Sequence, residues 1–212
     1  MFSGSLVAIV TPMRADGTID LAAWDRLLDM HLHGGTSGIV VGGTTGESPT
    51  ITDAELFELL RRAQPRIAGR MMLVAGAGSS STAATVDKVK RLGELRLDGL
   101  LVVTPAYNRP TQEGLFQHFT AVARAAAAPL IPYNVPGRTC VDMLPASFIA
   151  HVVWRRQAGG VLIAGCAEED CYERLGDRWT EERIGSQRDP YLRDRVDRDR
   201  VAVSWASPVQ QH

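Results

Sequence analysis

Four short stretches bring together side chains that suit small-molecule chemistry. "GGTTGES", from Gly42 to Ser48, sets Thr44 and Thr45 beside paired glycines. "VVTPAYNRPTQEG" carries Tyr107, and "YNVPGRT" places Tyr133, Asn134 and Arg138 within six residues around Pro136 and Gly137. The fourth, "GCAEEDC", holds Cys166 and Cys171. Glycines let a backbone turn tightly and approach a ligand. The threonine hydroxyls and loop amides then form a cluster of donors that fits a small carboxylate. A plain glycine-rich turn from strand to helix accounts for the tetrapeptide equally well. A lone tyrosine is ordinarily a rim residue with a satisfied hydroxyl. Thr44, Thr45, Tyr107 and Tyr133 together, each just past an apolar run, point instead to the rim of a small-molecule site. No GxGxxG pattern occurs, so a dinucleotide site has little support.

The elements that must position these residues follow from hydrophobic patterning. "SLVAIVTP", "SGIVVGG", "MMLVAG", "DGLLVVTP" and "PLIPYN" are apolar runs of the length and composition of buried parallel strands. Helical spacing lies between them, around Leu21–His33, Asp53–Gln64, Ala83–Leu95 and Gln112–Ala126. Thr52 or Asp53, Ser81 or Thr82, and Thr111 supply start signals. Strand then helix, repeated about every 30 residues, is a parallel α/β pattern. Periodicity alone does not separate a barrel from an open sheet. In either, the site residues fall at the carboxyl ends of the strands, where functional groups gather.

The chain has 212 residues, 45% hydrophobic and 22% charged, with a net charge of −1. That is ordinary for a globular protein and gives no general attraction to nucleic acid or an acidic membrane. No run reaches the roughly 20 apolar residues of a membrane span. The start "MFSGSLVAIV" lacks a charged leader, so it reads as a first strand in a cytoplasmic protein. Three cysteines, Cys140, Cys166 and Cys171, do not make a disulfide scaffold. Composition breaks near residue 154. Residues 154–200 hold ten arginines and eleven acidic residues, and no lysine follows Lys90. The expected organisation is an incomplete barrel domain over residues 1–153 and a divergent charged tail over 154–212. "GGVLIAG" and "VAVSWASP" are the strand-like runs of that tail.

"FSGSLVAIVTPM", "GGTTGES", "VTPAYNRPTQEGLFQHF" and "YNVPGRTCVDMLP" resemble the dihydrodipicolinate synthase (4-hydroxy-tetrahydrodipicolinate synthase) family of lysine biosynthesis, over about residues 1–150. The resemblance implies a (β/α)8 barrel of which about five βα units are present, in a family of homo-oligomers. It implies a lyase that joins pyruvate to aspartate-4-semialdehyde through a Schiff base, without a cofactor, nucleic acid or membrane. By the same resemblance Thr45 holds the pyruvate carboxylate, and Thr44, Tyr107 and Tyr133 form a proton relay, with Tyr107 reaching a neighbouring subunit. Arg138 binds the carboxylate of the aldehyde substrate. These roles are chemically apt. A phenol with a pKa of about 10 shuttles protons well only when partners hold it in line, and a guanidinium fork matches a carboxylate.

The Schiff-base lysine of the family is expected about two dozen residues after Arg138, where this chain has "GGVLIAGC" with Val161 in the ungapped position. Lys88 and Lys90 fall in a helix pattern instead. An imine needs an amine nucleophile, so a chain without it is expected to be inactive alone. The tail "GVLIAGCAEEDCYERLGDRWTEER" resembles the iron–sulfur (delta) subunit of methyl-viologen-reducing hydrogenase and heterodisulfide reductase systems, over about residues 159–207. A cluster usually takes four protein ligands, and Cys166 with Cys171 gives two. The expected functions are therefore a truncated family lyase, an iron–sulfur or redox accessory segment, or a keto-acid-binding remnant.

Overall fold

The computed structural model describes residues 3–143, 161–166, 176–188, 191, 192, 194 and 196–206. The chain divides into two compact units. One comprises residues 1–110 and 117–142, the other residues 111–116 and 143–212.

The first unit is built on five strands: β1 (Leu6–Ala8), β2 (Gly38–Val41), β3 (Met72–Gly76), β4 (Gly99–Val103) and β5 (Leu130–Tyr133). All four neighbouring pairs are parallel, in the order β1-β2-β3-β4-β5. Helices α1 (Leu21–His33), α2 (Asp53–Ile67), α3 (Thr82–Leu92) and α4 (Gln112–Ala125) fill the connections. This order decides between barrel and open sheet. Crossovers between parallel strands are right-handed, so strands added in one direction carry every helix to the same face. A doubly wound sheet reverses direction at a switch point, and no reversal occurs here. The unit is part of a (β/α)8 barrel.

Local chemistry explains the helix starts. Asp20 accepts the Ala23 N–H at 2.9 Å. Thr52 and Glu55 make a reciprocal capping box, with Glu55 N–H to Thr52 Oγ1 at 3.2 Å and Thr52 N–H to Glu55 Oε2 at 2.7 Å. Ser81 caps α3 through the Ala84 N–H. Two ends differ from expectation. α2 continues past Gln64 to Ile67 with Pro65 inside it, because Ile67 is buried at 3% exposure and its packing outweighs the hydrogen bond lost at proline. α3 stops at Leu92 rather than Leu95, where Gly93 caps it.

Leu56, Leu59, Leu60, Ala63 and Ile67 recur at helical spacing along α2 and are all buried. Each large side chain of this set contributes roughly 1.5–3 kcal/mol by leaving water. Arg62 and Arg66 of α2 grip Asp25 and Asp29 of α1 through paired bonds of 2.7 and 2.8 Å. These exposed pairs orient the two helices more than they stabilise them.

The second unit contains β6 (Val161–Cys166), a helix α6 (Gly176–Ile184) and β7 (Val201–Ala206). β6 pairs with β7 in parallel, from Val161↔Val201 to Cys166↔Ala206. The strand-like Val161–Gly165 run of the tail thus does not extend the five-stranded sheet. β6 belongs to a separate two-stranded sheet. In the charged stretch before β7, Leu192 and Val196 are 0% and 2% exposed. Two apolar side chains spaced among charges suffice to anchor it.

Candidate functional site

Parallel pairing puts the ends of β2, β4 and β5 on one side of the sheet. Thr44 and Thr45 follow β2, Tyr107 follows β4, Tyr133 ends β5, and Arg138 lies in the single turn α5 (Pro136–Thr139). All five sequence-derived site residues therefore share the carboxyl end of the barrel segment.

The loop after β2 is tightly specified. Gly42 has φ +65°, and Gly76 of β3 passes so close that a β-carbon there would overlap the Gly42 carbonyl oxygen. Thr11, just past β1, donates its hydroxyl to the Gly46 carbonyl at 2.8 Å in a buried bond. Glu47 N–H donates to Thr44 O at 3.2 Å, and Ser48 N–H to Gly43 O at 3.3 Å. Thr45 is left exposed, with its N–H and hydroxyl unpartnered among the described residues. Two donors on one exposed residue are what a carboxylate needs.

A second anchor holds the end of β5. Thr104 N–H donates to Tyr133 O at 3.0 Å. The Thr104 hydroxyl donates to Thr139 Oγ1 at 3.2 Å, and the Thr139 hydroxyl faces the carbonyls of Val135 and Val141, each at 3.1 Å. Both threonines are buried. Asn134 Nδ2 closes the same turn on Asp142 Oδ1 at 2.8 Å. Arg138 is exposed on the resulting turn, with Pro136 at its first position.

Tyr107 is 93% exposed with φ +68°, and Arg109 nearby has φ +45°. A left-handed backbone is uncommon for such residues. The Asn108 side chain holds this loop to Ser80 O at 2.9 Å. No hydrogen bond joins the side chains of Thr44, Tyr107 and Tyr133 to one another among the described residues. The expected contact between Thr44 and Tyr133 is not made in this chain. Each loop is anchored through backbone and buried threonines, and none of those anchors aims a phenol at the next hydroxyl.

Both lysines lie on helix α3 rather than in a loop that follows a strand. Lys88 Nζ lies 2.9 Å from Asp53 Oδ1, between α3 and α2. That hydrogen bond, ahead of the nearby charges of Lys88 and Arg91, holds the Asp53 carboxyl below its usual value. Lys90 is exposed on α3. Val161 opens β6 of the second unit. Cys166 ends β6, and Cys171 lies outside the described residues. No group of three or more histidine, cysteine or acidic residues is arranged to hold a metal among the described residues. No helix among them is long and apolar enough to cross a membrane.

Sequence reasoning missed the anchors Thr11, Thr104 and Thr139. A signal was present for two of them. "VTP" occurs at Val10–Pro12 and again at Val103–Pro105, and both threonines are buried at strand ends. A repeated strand ending with an internal hydroxyl marks a loop that must be held in place.

Comparisons with known proteins converge on one family. The model of the dihydrodipicolinate synthetase family matches residues 1–159. The 4-hydroxy-tetrahydrodipicolinate synthase of Ectopseudomonas mendocina (strain ymp) is 46% identical over 167 residues, 76% of this chain and 57% of that protein. That of Laribacter hongkongensis (strain HLHK9) is 50% identical over 143 residues, 68% of this chain and 49% of that protein. Among solved structures, the chloride-inhibited dihydrodipicolinate synthase from Acinetobacter baumannii, complexed with pyruvate, superposes with a TM-score of 0.66 at 42% identity, covering 72% of this chain and 50% of that one. The dihydrodipicolinate synthase from Thermotoga maritima superposes with a TM-score of 0.74 at 36% identity, covering 90% and 62%. The chain thus spans about half to three-fifths of these relatives. The family match ends before the Cys166–Cys171 pair and lends nothing to the iron–sulfur reading. On its sequential parallel sheet and the match over residues 1–159, the chain belongs to the dihydrodipicolinate synthetase family.

Proposed function

We propose that the carboxyl end of this barrel segment is the keto-acid-binding part of a 4-hydroxy-tetrahydrodipicolinate synthase site, in a chain that binds pyruvate weakly and does not catalyse condensation alone. Thr45 takes the pyruvate carboxylate with its N–H and hydroxyl. Thr44, Tyr133 and Tyr107 are the groups available to pass protons, and Arg138 receives the carboxylate of the aldehyde substrate. The observation that carries this reading is the pair of unpartnered donors on exposed Thr45, in a loop locked by Thr11 and Gly76. The names of the relatives and the pyruvate in the Acinetobacter baumannii structure support the choice of ligand.

The catalytic limit follows from chemistry. Deprotonating the methyl group of pyruvate needs an electron sink, which a protonated imine supplies and a free ketone does not. The chain holds two lysines. Lys88 is committed to Asp53, and Lys90 points from the outer helix α3. The composition break near residue 154 fits a junction between the barrel segment, residues 1–153, and a separate module over 154–212. The test is borohydride reduction in the presence of pyruvate, followed by intact mass and ligand-observed NMR. The expected result is a pyruvate signal that depends on Thr45 and no covalent adduct. A reduced pyruvyl adduct on Lys88 or Lys90 overturns the catalytic limit, and binding unaffected by Thr45→Val overturns the site.

A further inference from the structure

Tyr107 stands at the apex of a γ-turn. The Asn108 N–H donates to Ala106 O at 2.8 Å across it, and Tyr107 has φ +68°. A γ-turn with a positive central φ is the rare, strained form. Arg109 has φ +45°, so Asn108 lies between two residues in uncommon backbone conformations. Such conformations persist only where their surroundings over-determine them, and they gather at sites that depend on pre-organised groups. The Tyr107 side chain is exposed and makes no hydrogen bond among the described residues. The direction of its phenol therefore depends on the backbone that carries it.

The turn after β3 fixes that backbone. Asn108 Nδ2 donates to Ser80 O at 2.9 Å, and Ser80 lies inside a mesh of hydroxyl bonds. Ser79 N–H donates to Thr85 Oγ1 at 3.1 Å, the Thr85 hydroxyl to Ser81 O at 2.8 Å, and Ser81 N–H to Ser79 Oγ at 3.2 Å. Thr85 is fully buried. The turn also packs against β4, the strand that leads to Tyr107. A β-carbon at Gly78 would lie 2.6 Å from Val103 N. Thr82 Oγ1 is hydrogen-bonded to Nδ1 of the buried His118 at 2.9 Å. The connection from β4 and the helix α4 that it enters are thus tied to one turn, the first through Asn108 and the second through His118. Ser80 O is an acceptor held in a fixed place.

We propose that Asn108 is the positioning residue of Tyr107. Its N–H closes the strained turn, and its side-chain amide ties that turn to the Ser80 carbonyl. The phenol is thereby presented in one direction before any substrate arrives. The carboxamide suits this task because the contact needs a donor. An ionised aspartate of the same shape offers only acceptors and would face a carbonyl oxygen. Ser80 contributes its backbone alone, so its hydroxyl is dispensable to this contact. The role bears on chemistry because a phenol passes protons well only when it is held in line. In that respect the proposal rests on the reading of Tyr107 as a proton-passing group of the keto-acid site.

The test measures backbone 15N relaxation and amide exchange on the full 212-residue chain, with a pyruvate titration in parallel. In the unchanged chain the Tyr107 and Arg109 amides are expected to be rigid, with order parameters of about 0.85. Asn108→Asp should lower them below about 0.6. It should also speed exchange of the amide at position 108 by about twofold to tenfold, the size of one net hydrogen bond. Ser80→Ala keeps the carbonyl acceptor and should change neither reading. The melting temperature and the Thr45-dependent pyruvate signal should hold in both variants, which separates positioning from a general structural role. Asn108→Ala removes the donor without adding a charge and serves if Asn108→Asp does not fold. Four results overturn the proposal: a Tyr107 amide already mobile in the unchanged chain, order unaffected in folded Asn108 variants, a Ser80→Ala effect as large as theirs, or a fall in melting temperature with equal loss of order at Thr45. An unchanged chain that binds no pyruvate would instead sink the keto-acid reading, and the relaxation result would still decide the role of Asn108.

Discussion

Both units contain a pair of parallel strands with a helix between them in sequence, yet only the first carries a candidate site. In the first unit, the strand ends lead into loops held by a buried hydroxyl or a close glycine contact. Between Val161 and Ala206 the strands pair over six residues, longer than β1 at three. The surrounding chain is dominated by charges that pair with one another, as Arg178 and Arg188 do with Glu182 at 2.9 and 3.4 Å. Strand pairing builds a scaffold in both. What distinguishes a site is the set of anchors that fixes a loop while leaving donors free.

The largest effect that separates the units should come from truncating matched core leucines. Leu60 on α2 and Leu192 in the second unit are both 0% exposed. Leu60→Ala should cost about 2–5 kcal/mol, because it removes contacts in a close-packed helix face. Hydrogen exchange should then quicken across β2 and β3. Leu192→Ala should quicken exchange in β6 and β7 while β2 and β3 keep their protection. If both substitutions accelerate exchange everywhere equally, the two regions unfold as one, and the contrast drawn here loses its basis.

The first unit was readable because hydrophobic periodicity, caps and chain order all agreed. Thr52 or Asp53 announced α2, and five apolar runs announced five strands. Ile67 was not readable, because burial beyond Pro65 is a tertiary effect that helix propensity does not contain. The candidate site was readable as residue types at strand ends, and the family resemblance supplied their roles. The geometry between them was not. Whether Thr44 meets Tyr133 depends on side-chain directions that no spacing encodes, and the structure leaves them apart. The pairing of β6 with β7 was hidden for another reason. Two apolar runs separated by a charged stretch specify strands without specifying partners.

A smaller effect tests the anchor itself. An alanine β-carbon at Gly76 would lie 2.5 Å from the Gly42 carbonyl carbon as well as against its oxygen, and both atoms are backbone that moves only if the "GGTTGES" loop moves. Gly76→Ala should cost about 1–3 kcal/mol by overpacking and should abolish the Thr45-dependent pyruvate signal. The same change at Gly185, after α6, meets its nearest atom, Glu181 O, at 3.2 Å and should be nearly silent in both readouts. Equal effects at the two glycines would mean that the loop after β2 adapts, and that Gly76 is not what sets it.

The smallest expected effect is a pH dependence that originates at one buried histidine of the first unit. His118 of α4 is buried, its Nδ1 2.9 Å from Thr82 Oγ1 and its Nε2 without a partner. Burial lowers its pKa from the ordinary value of 6.5, because the charged ring loses water and gains no carboxylate. The unfolded chain therefore binds a proton at a higher pH than the folded one. Stability from the neutral ring is fully present above 6.5 and declines as pH falls from 6.5 toward the lowered folded value. The carboxylates act elsewhere: hydrogen bonding from Arg62 lowers Asp25, and from Lys88 lowers Asp53, each from 3.8. Their contribution is present above 3.8 and is lost as pH drops through their lowered values. The chain has five histidines, so the part of the slope that belongs to His118 is the part that its substitution removes. A melting series between pH 5 and 7 should show a shallow slope that His118→Phe flattens, with β6 and β7 exchange unchanged. A slope that persists in the variant would assign the proton uptake to another group and leave the buried ring with a packing role.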